Sequence, residues 1–306
     1  MPATKTAAAR RLRVALVQMH MDDDVSSNDA RAEAAIRAAA AEGAQLICLP
    51  ELFRSPYFCQ VEDADLCDLA EPIPGPTTMR FGALAEALGV TLVLSLFERR
   101  APGLYHNTAV VLDAAGQLVH RYRKMHIPDD PKYYEKYYFT PGDLGFLSVQ
   151  VAGVRIGVLV CWDQWYPEAA RLTALTGAEL LIYPTAIGWH PAEKDALGAA
   201  QRDAWITIQR SHAIANGCHV LAINRTGFEP TPDRPDEGIE FWGSSFITAP
   251  DGVVLAQAAS HGDAVVVHDL DLDALERQRR GWPFLRDRRI DAYQGITRRF
   301  GDAEHG

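Results

Sequence analysis

Three reactive side chains stand just after apolar stretches of the sequence: Glu51, Lys124 and Cys161. Taken singly, each is more often a packing or surface residue than a functional one. A thiol has a pKa near about 8.5, so at neutral pH it needs a base and a positive neighbour to act as a nucleophile. Glu51 could accept the thiol proton, and the Lys124 ammonium could hold an oxyanion together with a backbone N–H beside the thiol. As a set, they predict acyl transfer through a cysteine.

Other familiar catalytic motifs are missing from the sequence. It has no nucleophile elbow (G-x-S-x-G), no P-loop, no dinucleotide fingerprint and no H-E-x-x-H zinc motif. Its histidines occur singly and without the spacing of metal ligands. We therefore expect neither a metal nor a cofactor. A serine hydrolase that uses a histidine and an aspartate elsewhere stays an alternative, which the missing elbow disfavours.

The composition is that of an ordinary globular protein and excludes several classes. The chain has 306 residues, 48% of them hydrophobic and 23% charged, which excludes collagen-like, disordered and small disulfide-rich proteins. A net charge of −10 disfavours nucleic-acid binding, and no apolar run reaches the roughly 18–20 residues of a membrane span. Five scattered cysteines without C-x-x-C pairs predict reduced thiols and a cytoplasmic protein.

The expected elements place the reactive residues at strand ends. Apolar bursts predict strands over 45–49 and 155–160, which end just before Glu51 and Cys161. Asn28 is the expected N-cap of a helix over 30–41. Strand–helix units mixed with hairpins indicate one α/β or α+β domain with mixed sheets.

The ends of the chain and one internal stretch are expected to lie outside the regular core. We expect a flexible basic N-terminus over 1–11, one domain over 12–297 and a tail over 298–306. The N-terminus lacks the apolar region of a secretory signal, and an organelle transit peptide is the lesser alternative. The stretch 228–238, with three prolines and four acids, is predicted to be an exposed loop.

The three reactive segments resemble the nitrilase superfamily of carbon–nitrogen hydrolases, whose Glu–Lys–Cys triad follows the same order. The resemblance rests on Leu-Pro-Glu-Leu-Phe at 49–53, Arg-Lys-Met-His-Ile-Pro at 123–128 and Cys-Trp-Asp-Gln-Trp-Tyr-Pro-Glu at 161–168. It covers about residues 12–297 and implies a four-layer α-β-β-α sandwich with two mixed sheets. Within the superfamily, the chain resembles members that hydrolyse a carbamoylated diamine. The stretches that carry this narrower resemblance are 126–131, 133–143, 183–189, 209–216, 241–246 and 282–290.

The resemblance implies a role for each reactive residue. Cys161 would be the nucleophile, Glu51 the general base and later acid, and Lys124 would hold the oxyanion together with the Trp162 N–H. Glu135 matches a second family glutamate that orients the lysine and the substrate. The substrate would be a small cationic ureido compound of polyamine biosynthesis from arginine via agmatine, hydrolysed through a thioester to amine, carbon dioxide and ammonia. A homo-oligomer built from dimers is also implied.

The far end of such a substrate is a primary ammonium, which needs carboxylates, carbonyls or aromatic faces. Asp129 and Asp130 are the candidates to bind it, although both could equally be turn residues between prolines. The aromatic residues that could line the alkyl chain are Tyr133, Trp162, Trp165 and Trp189. Asp163, close to the thiol, could order its loop.

Two other functions stay open from the sequence. The first is the same chemistry on N-carbamoyl-β-alanine, another N-carbamoyl amino acid or an aliphatic amide. An acidic substrate would need a cation for its carboxylate, and Arg54, where the resemblance leads us to expect an acid, is a candidate. The second is an inactive interaction protein of the same fold, which is disfavoured because Glu51, Lys124 and Cys161 are all present.

Overall fold

The computed structural model describes residues 10–232 and 234–301. Its strands, in chain order, are β1 (Arg11–Gln18), β2 (Leu46–Cys48), β3 (Thr91–Ala101), β4 (Leu104–Leu112), β5 (Leu118–Arg123), β6 (Ser148–Val151), β7 (Val154–Val158), β8 (Leu180–Thr185), β9 (Gly188–Trp189), β10 (His219–Asn224), β11 (Thr226–Thr231), β12 (Arg234–Trp242), β13 (Phe246–Thr248), β14 (Val254–Gln257) and β15 (Ala264–Asp271). Its helices are α1 (Val25–Ala41), α2 (Pro76–Leu88), α3 (Glu135–Tyr138), α4 (Pro167–Leu175), α5 (Pro191–Asn216) and α6 (Leu272–Gly281).

Two six-stranded mixed sheets each contain a parallel centre. The first sheet has the order β15-β1-β2-β3-β4-β5, with β1, β2 and β3 parallel. The second has the order β14-β13-β10-β8-β7-β6, with β7, β8 and β10 parallel. Parallel neighbours need a crossover, and α1, α2, α4 and α5 supply these connections. A small third sheet has the order β11-β12-β9.

Alternate residues of β1 face two different cores. Val14 and Leu16 belong to the core that the first sheet shares with the second, where they join Ile156. Ala15 and Val17 face the other way, into a core that contains Ile36 of α1. Because successive side chains of a strand point to opposite faces, the sheets must pack face to face with helices outside. The expected four-layer α-β-β-α sandwich is confirmed.

The first helix begins earlier than predicted. Its N-cap is Asp24, whose carboxylate accepts two backbone N–H groups of the first turn. Asn28 lies buried inside the helix, where its side-chain amide donates to the carbonyls of Asp22 and Arg54. The predicted cap was wrong because Asp and Asn both favour this position, and the tertiary contacts of Asn28 are not visible in the sequence.

Within the stretch 228–238, which was predicted to be an exposed loop, residues 228–231 belong to β11 and residues 234–238 belong to β12. β11 pairs with β12, and β12 also pairs with β9. Pro230 is tolerated because β11 is the edge strand of this small sheet. Glu229, one of the acids that suggested exposure, is buried against Arg225. The predicted loop is therefore wrong, whereas the predicted exposure is confirmed for most described residues of the stretch, including Phe228 and residues 234–237.

The two ends of the chain are described only in part. β1 begins at Arg11, one residue before the expected domain, and Arg10 donates to Glu179. Residues 1–9 of the expected N-terminus and 302–306 of the expected tail lie outside the described residues. Within the described part of the chain, no helix has the length and apolar character to span a membrane.

We expect Phe81→Ala to lower the free energy of unfolding by about 3–5 kcal/mol, the usual cost of emptying a buried aromatic site. Phe81 of α2 is fully buried and packs edge-to-face on Phe53, with ring centroids 5.4 Å apart. Met79→Ala on the same helix is the control, because Met79 is 73% exposed and should cost no more than about 0.5 kcal/mol. Urea denaturation measures both. Equal losses of stability in the two variants would contradict the burial of Phe81 in the core between the first sheet and its helices.

Candidate active site

The three reactive residues meet at one end of the sandwich. Glu51 follows β2, and Lys124 directly follows β5, which runs parallel to β3 because both are antiparallel to β4. Cys161 follows β7 of the second sheet. Chemistry in sheets of this kind commonly collects at the carboxyl ends of parallel strands. The fold thus brings a carboxylate, an ammonium and a thiol from two facing sheets to the same edge.

The ammonium of Lys124 lies between two carboxylates. Its Nζ atom is 2.8 Å from Oε1 of Glu51 and 2.6 Å from Oε2 of Glu135, and all three side chains are 0% exposed. Asn107 donates to Glu51 Oε1 at 2.6 Å, and the Tyr57 hydroxyl donates to Glu135 Oε1 at 2.6 Å. Among the described residues, Glu51 Oε2 has no hydrogen-bond partner although it is buried. This oxygen is therefore free to take a proton.

Burial and charge together set the protonation of the cluster. Burial alone would lower the pKa of Lys124, but the charges of Glu135 and Glu51 raise that pKa well above its ordinary value. Burial raises the pKa of Glu135 to about 7, against the opposing charge of Lys124. Burial, with the charge of Glu51, raises the pKa of the Cys161 thiol well above its ordinary value. The thiol is therefore protonated at rest and needs a base when it reacts.

Cys161 begins a sharp turn at the end of its strand. Its backbone φ is +43°, a left-handed conformation that costs a residue with a side chain about 1–3 kcal/mol. Cys161 is the first residue of the 3₁₀ turn Cys161–Trp165. The Cys161 Sγ atom lies 3.7 Å from the carbonyl oxygen of Ala186 and lines a cavity. Cys161 is thus 5% exposed, packs at the margin of the core between the sheets and also faces the cavity.

The carboxylate of Asp163 fixes this turn by hydrogen bonds. Its Oδ2 atom accepts from the Val160 N–H at 2.9 Å and from the Tyr122 hydroxyl at 2.8 Å. Its Oδ1 atom accepts from the His126 N–H at 3.0 Å and lies 2.7 Å from His126 Nδ1. Asp163 is fully buried, so the sequence expectation that it orders the loop agrees with its position.

A cavity of about 480 Å³ opens beside Cys161. Aromatic side chains form part of its wall, namely Tyr133, Trp162, Trp165 and Trp242. The charged groups in the wall are acidic, namely Asp130, Glu135 and Glu193, and His190 joins them. Among the described residues that line the cavity there is no lysine or arginine. The site can therefore present a thiol to a carbonyl carbon while favouring a neutral or cationic substrate.

The structure brings together most, but not all, of the residues predicted for substrate binding. Tyr133, Trp162 and Asp130 line the cavity with the thiol. Asp129 is exposed to solvent. Trp189 packs against the ring of Trp242 and donates its indole N–H to the carbonyl of Gly198. Within residues 10–232 and 234–301, no group of three or more His, Cys, Asp or Glu could hold a metal ion.

Several residues of the site were not predicted from the sequence. Asn107 is a buried amide that stands between two other buried polar residues of β4, so the sequence did not single it out. Glu193 lies in the first turn of α5, and nothing in the local sequence indicates that this turn borders the cavity. Tyr57 and Trp242 carry no local signal, since their contacts arise only when the two sheets pack together.

The family follows from comparison with known proteins. A family model described as carbon–nitrogen hydrolase matches residues 13–280. The chain therefore belongs to the carbon–nitrogen hydrolase family, and the expected membership of the nitrilase superfamily is confirmed.

Two relatives and one solved structure illustrate the similarity. The chain is 45% identical to an N-carbamoylputrescine amidase of Solanum lycopersicum, over 93% of this chain and 94% of that protein. It is 40% identical to a citrullinase of Francisella tularensis, over 94% of this chain and 99% of that protein. The crystal structure of a carbon–nitrogen hydrolase from Helicobacter pylori superimposes with a TM-score of 0.92 at 44% identity, covering 95% and 100% of the two chains.

We expect Asp163→Asn to slow alkylation of Cys161 by iodoacetamide at least about tenfold, because small displacements of a reacting atom have large effects on rate. An amide cannot accept all the donors that converge on the carboxylate, so the turn should shift. Peptide mass spectrometry measures alkylation at this cysteine alone. Asp251→Asn in an exposed turn is the control. Unchanged alkylation in folded Asp163→Asn would show that Asp163 does not hold the turn.

Proposed function

We propose that the chain hydrolyses N-carbamoylputrescine to putrescine, carbon dioxide and ammonia. One observation carries the proposal: the cavity wall that contains Cys161 and Glu135 also contains the carboxylates of Asp130 and Glu193. A ureido group at the thiol and an ammonium at the carboxylates match both ends of this substrate. The similarity to the tomato N-carbamoylputrescine amidase supports the same substrate.

In the proposed first half-reaction, Cys161 attacks the ureido carbon. The unpartnered Oε2 of Glu51 accepts the thiol proton as the S–C bond forms. The Lys124 ammonium and the Trp162 N–H hold the negative oxygen of the tetrahedral intermediate. Glu51 then returns the proton to the leaving nitrogen, and ammonia departs to give a carbamoyl thioester. Glu135 keeps the ammonium of Lys124 in place at 2.6 Å.

In the second half-reaction, water attacks the thioester with Glu51 as base. The C–S bond breaks, the thiol of Cys161 recovers its proton, and a carbamic acid is released. This acid breaks down to the diamine and carbon dioxide without further help from the protein. No cofactor enters either half-reaction.

The charges around the site support a cationic substrate over an acidic one. Gln201 donates to Glu193 at 3.3 Å and so orients this carboxylate in the cavity wall. Arg54, the cation that kept an acidic substrate open, is paired with Asp29 at 2.9 Å and with Glu71 at 3.2 Å. Its charge is therefore committed to those two carboxylates, which disfavours N-carbamoyl-β-alanine.

Citrulline is a second candidate substrate, favoured by a specific observation. The indole N–H groups of Trp165 and Trp242 are buried at the cavity and find no hydrogen-bond partner among the described residues. An unpaired buried donor is unfavourable, and the carboxylate of a carbamoylated amino acid could accept from it. The relative from Francisella is named a citrullinase, in keeping with this possibility.

The proposal extends to the domain, the pathway, the compartment and the oligomeric state of the enzyme. We infer one catalytic domain over 12–297, acting in putrescine supply from arginine via agmatine, in the cytoplasm, as a homo-oligomer built from dimers. The five cysteines are free, which fits a reducing compartment. Apolar side chains exposed on α4 and in the segment that follows α6 support subunit contacts, namely Leu172, Leu175, Ile290, Ile296 and Phe300.

We expect the wild type to release ammonia from N-carbamoylputrescine, and Cys161→Ala to lose at least about 10³-fold in kcat, because it lacks the nucleophile. Cys67→Ala is the control, since Cys67 is a half-buried cysteine outside the cavity wall. N-carbamoyl-β-alanine and citrulline are assayed in parallel. Release only from one of these would replace the proposed substrate. Full activity in Cys161→Ala would overturn the cysteine mechanism and revive a serine hydrolase.

We expect Glu193→Gln to raise KM for N-carbamoylputrescine about twofold to fivefold, because an exposed charge pair contributes modestly. Its kcat should change little, since the ammonium lies away from the reacting carbon. Butylurea, which has no ammonium, should be turned over equally by wild type and variant. Glu86→Gln, an exposed position on α2, is the control. An equal KM rise for butylurea would show that Glu193 does not recognise charge.

A further inference from the structure

We propose that Arg225 and Glu229 form a positioning clamp that holds the segment 51–57, and through it both carboxylates of Lys124, in place for the hydrolysis proposed above. Arg225 follows β10 of the second sheet, whereas the segment follows β2 of the first sheet. The clamp therefore joins the two sheets at the edge where Glu51 must meet the thiol.

The guanidinium of Arg225 holds the start of this segment by its carbonyls. Its Nη2 atom donates to the carbonyl of Glu51 at 2.7 Å and to that of Leu52 at 3.0 Å. Its Nη1 atom donates to the carbonyl of Ser55 at 3.3 Å and to Glu229 Oε1 at 2.8 Å. Arg225 is fully buried and Glu229 is 2% exposed. Every one of these contacts is thus made away from solvent.

The segment needs such support because its backbone is strained next to Glu51. Leu52 has a φ of +49°, a conformation that residues with side chains rarely adopt. Its N–H donates to the Ser95 hydroxyl at 3.3 Å, and its carbonyl accepts from Arg225. The strained peptide is therefore held on both sides, and this fixes where the Glu51 side chain leaves the backbone.

The carboxylate of Glu229 extends the clamp to the far end of the segment. Its Oε2 atom accepts from the backbone N–H of Tyr57, and the Tyr57 hydroxyl donates to Glu135 at 2.6 Å. One buried ion pair thus positions Glu51 by its backbone and Glu135 through Tyr57. Both carboxylates contact Lys124, so the clamp acts on the whole charged cluster.

Stability alone does not account for this pair. Burying two charges costs desolvation energy, and apolar replacements of buried ion pairs often fold as well or better. The Arg225 guanidinium also lies over the rings of Phe241 and Tyr57, so an apolar side chain would find apolar neighbours there. What an apolar pair cannot do is donate to the carbonyls of the segment or accept the Tyr57 N–H.

The test is the double variant Arg225→Met/Glu229→Leu. We expect it to fold, with kcat for N-carbamoylputrescine reduced at least about tenfold and KM within about threefold, because the reacting groups move while the cavity stays. The pH dependence of Cys161 alkylation by iodoacetamide should also shift, since the charges that face the thiol are displaced. A merely structural role would leave this dependence unchanged. The control is Glu276→Leu/Arg280→Met, an exposed ion pair on α6.

A folded double variant with the kcat and alkylation profile of the wild type would overturn the clamp. If the double variant does not fold, Glu229→Asp decides, because it shortens the carboxylate but keeps both charges. Glu229→Asp should show a smaller decrease in kcat and a smaller shift in the pH dependence of Cys161 alkylation. Wild-type values of both would again overturn the proposal. If the wild type does not turn over N-carbamoylputrescine, the proposed substrate fails, while the alkylation comparison still tests the clamp.

Discussion

The site depends on one buried charge, the ammonium of Lys124. An isolated charge of this kind cannot stay ionised inside a protein, so it must be paired and hydrogen-bonded. Glu51 and Glu135 supply the pair, and each is itself held by a neighbour, Asn107 or Tyr57. Burial, together with the charge of Glu51, keeps the nearby thiol protonated until a substrate arrives.

The four-layer fold explains how such a cluster can be assembled. Glu51 and Lys124 follow strands of the first sheet, and Cys161 follows a strand of the second sheet. The ends of these strands lie at the same edge of the sandwich. Neither sheet contains all the groups. The packing of the two sheets therefore determines the distance between base and nucleophile, and the buried contacts of Arg225 cross this junction.

The buried strands and the three reactive residues at their ends were predictable from the sequence. Short apolar runs ending in Pro, Gly or a polar residue indicated the buried strands, and the reactive residues stood at their ends. Asn28 was misjudged because several residues there can cap a helix, and the strands β11 and β12 were misjudged because prolines are tolerated at the edge of a sheet. Asn107, Tyr57 and Glu193 could not be predicted, since their contacts depend on strands and helices brought together from distant parts of the chain.

The central claim is that Cys161 carries the carbonyl carbon of the substrate during turnover. It is tested most directly by mass spectrometry of the protein mixed with N-carbamoylputrescine and quenched in acid. The account predicts a substrate-derived carbamoyl group on the peptide that contains Cys161. Turnover with no adduct there, or with an adduct on another side chain, would contradict it.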